Sequence, residues 1–187
     1  MYMRSETMVQ RLSIRKLCYI AIFTAIIAVC AQIAIPLPGG VPLTLQTWAI
    51  SLAGIVLGTK NGTFSVLIYI LLGVAGAPVF ANFTGGLGIV MGHTGGFILS
   101  FPIMALAAGI GESKRSLAWL LVSLSIGTII NFLAGMFYFS FVMSVSLQAA
   151  FTAAVLPFIP SAILKIALLP TLAKSIKLAL AKSAIHL

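Results

Sequence analysis

The side chains able to do chemistry are few in this chain of 187 residues, and they are widely spaced. Only two acids are present, Glu6 and Glu112, and there is no aspartate. His93 and His186 stand far apart in sequence, while Cys18 and Cys30 share one apolar stretch. Twelve residues along one helix separate those thiols by roughly 18 Å, too far for a disulfide. No acidic cluster suits a metal, and no acid–base or nucleophile–base set is spaced for catalysis. The expectation is a protein with no metal and no cofactor, not an enzyme. Against this background one cation, Lys165, lies inside apolar sequence.

The elements that must position Lys165 are membrane helices. Hydrophobic residues make up 61% of the chain and charged residues 7%, whereas a soluble domain carries about 25% charged residues. So few charges cannot cover a water-facing surface, so lipid is the expected solvent. The chain reads as one transmembrane domain over residues 1–187, with no internal repeat. The fold expected is all-α, with six transmembrane helices at about 17–35, 43–58, 64–77, 95–110, 117–142 and 155–180. The first apolar segment follows Arg11, Arg15 and Lys16 in the manner of a signal peptide, but it is long for a cleaved core and is read as a retained helix. Turn chemistry at Thr59-Lys60-Asn61-Gly62 is expected to end the second helix. The long glycine-rich stretch 77–92 is expected to be irregular, 144–152 to be a link between helices, and Pro170 to kink the last helix.

Cytoplasmic loops collect Lys and Arg. With both termini inside, the inner regions hold Arg4, Arg11, Arg15, Lys16, Lys60, Lys114, Arg115, Lys174, Lys177 and Lys182, ten of the eleven basic residues. This pattern explains the net charge of +9 by membrane orientation rather than by nucleic-acid binding. Lys165 is the exception. Nine residues before Lys174, it lies about 14 Å from the inner end of its helix, within the hydrocarbon zone. An unpaired cation there costs about 2.5–3.5 kcal/mol on insertion scales, and the chain has no intramembrane acid to offset it. Two readings stand: a lysine that snorkels outward, or one whose counter-charge arrives with an anionic ligand such as a carboxylate.

Several neighbouring segments bear on that choice. Gly85-Gly86-Leu87-Gly88 and Gly92-His93-Thr94-Gly95-Gly96 fall on the outer side, either as a flexible loop or as a cap over a pocket. They lack the Lys-Ser/Thr of a nucleotide loop. Asn82-Phe83-Thr84 matches a glycosylation sequon, but the amide of Asn82 is equally suited to line a pocket. Ala21, Ala25 and Ala28 recur at helical spacing, and Gly54 and Gly58 form a GxxxG. Both patterns suit close helix packing, within the chain or against a partner subunit.

In combination these residues resemble the BioY family. Pro36-x-Pro38 followed by 41–47 (Val-Pro-Leu-Thr-Leu-Gln-Thr) is similar to the family's first outer loop. Gly76-Ala77-Pro78-Val79-Phe80, the two glycine clusters and Phe97 are similar to its central signature. Pro157-Phe158-x-Pro160, ending in Leu164-Lys165, resembles its last motif. The likeness covers most of residues 17–180, in order. It implies a six-helix S component of an energy-coupling factor (ECF) transporter in a prokaryotic plasma membrane. Such a component binds biotin from outside and works with a transmembrane T component and two ATPase subunits. By similarity, Lys165 and Asn82 contact the ligand, with Gly86 and Thr94 of the central signature as further binding candidates. Pro38, Gly39, Pro42 and Thr44 belong to a lid, and Ala21 and Ala25 to the face that meets the T component.

Two positions depart from the family pattern. Its last motif reads Pro-Gly-Asp-x-x-Lys, and here Ala162 stands where the ligand-binding Asp is found. His93 replaces a usual Pro. The function implied is biotin capture for ATP-driven uptake. The alternatives are an S component for another small carboxylate vitamin, or a membrane scaffold protein without a substrate.

Overall fold

The structure, a computed structural model, describes residues 14–37 and 39–185, with side chains placed as far as residue 180. It is a bundle of helices: α1 (Ile14–Gln32), α2 (Gln46–Val74), α3 (Leu87–Met91), α4 (Gly95–Ser113), α5 (Leu117–Met143), α6 (Leu147–Ala154) and α7 (Ile159–Ile185). A two-stranded hairpin, β1 (Ala34–Ile35) and β2 (Leu43–Thr44), joins α1 to α2, pairing Ala34 with Thr44 and Ile35 with Leu43. Five helical stretches are long and apolar enough to cross a membrane. Large apolar side chains such as Val29, Leu71, Leu99, Ile129 and Ile163 point outward, as lipid-facing residues do.

The sixth crossing comes from α2, which is not straight. Gly58 adopts φ 78 and ψ 173 inside it, a combination open essentially to glycine alone. A straight helix would hold Gln46 and Tyr69 about 35 Å apart, yet their side chains are hydrogen-bonded at 2.7 Å. The chain therefore folds back at Gly58 into two antiparallel arms, 46–57 and 59–74. The arms nest closely because Gly62 has no Cβ: a methyl there would collide with the carbonyl of Ala53. The expected turn at 59–62 is instead the first turn of the second arm, and the reversal is confined to Gly58. Of the expected GxxxG pair, only Gly54 is a helix-packing glycine, seated on the backbone of Ala105 in α4.

Two further expectations change. Most of the expected link 144–152 is helical: α6 begins at Leu147 and runs past the link to Ala154, its first turn capped by Ser146 Oγ accepting from the Ala149 amide at 3.2 Å. The last helix begins later than expected, at Ile159 after a 3₁₀ turn over Leu156–Phe158. Pro160 falls in its first turn, where a missing N–H costs little, and the helix continues past Pro170 to Ile185.

The core lies between α4, the most enclosed long helix, and its neighbours α2 and α5. The buried residues of α1, Ile20, Phe23, Thr24, Ile27 and Ala31, recur every three or four positions and so share one face. Thr24 Oγ1 donates from that face to the Ser65 carbonyl (3.0 Å), tying α1 to the second arm of α2. At the far end, Gly109 of α4 abuts Thr59 beside the fold-back, and Lys177 pairs with Glu112. Lys60, Lys114, Arg115 and Lys177 therefore gather at one end of the bundle, in keeping with the charge pattern. Glu6, Arg4, Arg11 and His186 lie outside the described residues, as does the side chain of Lys182.

Candidate ligand-binding site

At the opposite end from Glu112, the helices enclose a cavity of about 220 Å³. Ser161, Ala162 and Lys165 line it from α7; their i, i+1, i+4 spacing puts them on one helical face. Phe97, Phe101, Phe132 and Phe158 supply apolar wall, with Phe97 and Phe158 stacked at 6.3 Å between ring centroids. Lys165 is 2% exposed and has neither a hydrogen bond nor an ion pair among the described residues. Burying a charge is costly unless it is paired. Snorkelling to an outer surface is therefore not what this lysine does: it is enclosed at the cavity wall. Ala162 contributes only a methyl group, and no carboxylate stands among the described lining residues.

Asn82 reaches the cavity from a strained turn. Asn82 and Phe83 have φ of 57 and 56, left-handed values that residues with a Cβ rarely adopt. Gln32, the last residue of α1, holds this turn. Its Nε2 donates to the carbonyls of Val79 (3.3 Å) and Phe80 (3.1 Å), and its Oε1 accepts from the Phe83 amide (2.7 Å). A bridge between Phe80 and Thr84 closes the turn from the other side, and Phe80 is locked by its ring lying on Gly73. Tyr69 adds a further tie, donating to the Val79 carbonyl (3.1 Å) while accepting from Gln46.

The expected lid is the connection between β1 and β2. Pro42 and Thr44 line the cavity together with Gly40 and Val41. Gly39 instead packs on the backbone of Ala153 in α6, and Pro38 lies outside the described residues. His93 Nε2 donates to the Gly40 carbonyl at 3.0 Å, and its ring meets Phe139 edge-on at 6.2 Å. His93 thus fastens the connection between β1 and β2 to the loop before α4.

Thr94 lines the cavity, but Gly86 does not. Gly86 has φ 95 at the start of α3 and donates its amide to the Gly73 carbonyl at 2.6 Å, so its place is that of a structural turn. Two further amides, outside the expected site residues, line the cavity: Gln46 and Asn131. Gln46 belongs to the segment 41–47, and Asn131 is the sole amide in the apolar run of α5, a signal legible in the sequence. Ala21 and Ala25 are both exposed on α1, off its buried stripe. Among the described residues no cluster suits a metal.

The BioY family model matches residues 4–182. This chain belongs to the BioY family. It is 44% identical over 149 residues to the probable biotin transporter BioY of Pyrococcus horikoshii, covering 79% of this chain and 87% of that protein. It is 40% identical over 164 residues to the biotin transporter BioY of Thermotoga maritima, covering 87% and 96%. Its fold is similar to the crystal structure of an S-component for biotin from an ECF-type ABC transporter. That match has a TM-score of 0.81 and 26% identity, over 91% of this chain and 94% of that one. As a BioY-family member with several membrane-spanning helices, it is a multi-pass transport protein of the prokaryotic cell membrane and not an enzyme.

Proposed function

We propose that this BioY-family chain is a substrate-binding S component that captures biotin from outside the cell. It delivers the ligand to an ECF module made of a transmembrane T component and two ATPase subunits. The observation that carries the reading is Lys165, a buried cation with no counter-charge among the described residues, at the wall of an aromatic-lined cavity. Biotin brings a carboxylate to offset that charge and a compact apolar bicycle to cover the phenylalanines. The volume lies below the roughly 300–1,000 Å³ common for drug-sized ligands, which favours a small molecule. Asn82, Thr94 and the lid residues Pro42 and Thr44 line the same space. Exposed Ala21 and Ala25 leave a shallow strip on α1 that a T-component helix can approach closely.

Equilibrium binding of labelled biotin to the purified protein in detergent tests the proposal. Saturable binding at micromolar ligand or below is expected. Its absence in both the wild type and Ala162→Asp would overturn the reading. Ala162 itself favours a second reading, an S component for another small carboxylate vitamin, because the wall beside Lys165 offers no acidic acceptor. A thermal-shift screen of carboxylate vitamins separates the two: the true ligand raises the unfolding midpoint, and biotin is expected to raise it most.

A further inference from the structure

Asn131 is 2% exposed in the middle of α5 and lines the cavity. Its Nδ2 donates to the Phe97 carbonyl at 3.0 Å and to Ser100 Oγ at 2.7 Å. Both partners fix the direction of the amide. A carbonyl only accepts. Ser100 uses its single hydroxyl proton on the Gly96 and Phe97 carbonyls, so toward Asn131 it accepts too. Both protons of the Asn131 amide are therefore committed, and a flipped amide would set oxygen against oxygen. No described residue donates to Oδ1.

We infer that Asn131 Oδ1 is the acceptor for a ureido N–H of the bound ligand and so determines specificity for a cyclic urea. The inference rests on the biotin reading above. Ionised biotin has two hydrogen-bond donors, both on the ureido ring, and its carboxylate is suited to Lys165. With an alanine at 162 and no acid among the described lining residues, those donors need a neutral acceptor. Gln46 and Asn82 are the competing amides. The Asn82 side chain makes no hydrogen bond among the described residues, so its amide has no fixed direction, and the better-held rival is Gln46. It is less enclosed at 6% exposure, and its Nε2 has one partner, the Tyr69 hydroxyl, so one of its protons stays uncommitted. Asn131 is held by two bonds, already aimed, and loses little freedom when a ligand binds.

The test compares biotin with biotin methylated on both ureido nitrogens, on wild type, Asn131→Leu and Gln46→Met, each in detergent. Methylation is expected to weaken binding at least tenfold in wild type and in Gln46→Met, but less than threefold in Asn131→Leu, which itself binds biotin at least tenfold more weakly. A methylation penalty undiminished in Asn131→Leu, or one abolished only in Gln46→Met, would overturn the assignment while leaving biotin binding intact. Absence of biotin binding to wild type would overturn both.

Should Asn131→Leu fail to fold, the wild-type chain still gives an answer. It has three asparagines, Asn61, Asn82 and Asn131, so ¹³Cγ-labelled side chains are assigned by single substitutions of the first two. The Asn131 resonance is expected to move on adding biotin and not on adding the dimethylated analogue. The same response to both ligands would refute the contact.

Discussion

Gln46 donates a 2.7 Å hydrogen bond to the hydroxyl of Tyr69, 23 residues further along what is nominally one helix. That bond exists because α2 reverses at Gly58, and it links the helix end at the cavity to the turn that carries Asn82. Tyr69 passes the connection on to the Val79 carbonyl. The shape of the binding site thus depends on a glycine at the other end of the bundle.

Gly58→Ala tests that dependence. A side chain at φ 78, ψ 173 introduces strain of about 1–3 kcal/mol. The unfolding midpoint in detergent is expected to fall by several degrees and biotin affinity to weaken with it. An unchanged midpoint and affinity would show that the arms close without help from this residue.

Gln32→Leu removes the clamp on the 79–83 turn while keeping side-chain size. It leaves the Phe83 amide without its acceptor and the Phe80 carbonyl without one of its donors. The Phe80 carbonyl is partly buried and the Phe83 amide exposed, so the loss is about 0.5–1.5 kcal/mol. Hydrogen exchange at the Phe83 amide is expected to accelerate while α4 stays protected, and biotin affinity to fall by about tenfold, since ~1.4 kcal/mol is a factor of ten. Unaltered exchange at Phe83 would count against the clamp.

Lys165→Met separates binding from stability. The ligand-free protein no longer buries an unpaired cation, so its unfolding midpoint is expected to rise. Affinity for biotin is expected to fall at least tenfold, because a charge-assisted hydrogen bond is worth about 1.5–3 kcal/mol. The two effects have opposite signs. Biotin affinity equal to wild type would remove Lys165 from the site.

Ala25→Trp, alone or with Ala21→Trp, fills the exposed strip on α1 with bulk. Biotin binding to the isolated protein is expected to be unchanged, while biotin uptake by cells carrying the complete transporter falls to background. Uptake at wild-type levels would place the T-component contact elsewhere.

Much of this molecule was legible in the chain itself. Its scarcity of charge demanded lipid as solvent, and its run of apolar segments marked out helices 1, 4 and 5 nearly to their ends. The misfit of Lys165 with an otherwise one-sided pattern of cations singled out the residue that the cavity encloses. Such features depend on composition and period, and these are local properties. Tertiary packing decided the rest. The Thr59–Gly62 segment has turn chemistry, yet it is helical, with Gly62 seated against the backbone of Ala53, a contact made only where the two arms of α2 close. Asn131 and Gln46 are ordinary polar residues in sequence. Partners 31 and 34 residues away for Asn131, and 23 away for Gln46, orient their amides toward one space. Which end of an amide a ligand meets is set by what occupies the other end, and only the fold brings those groups together.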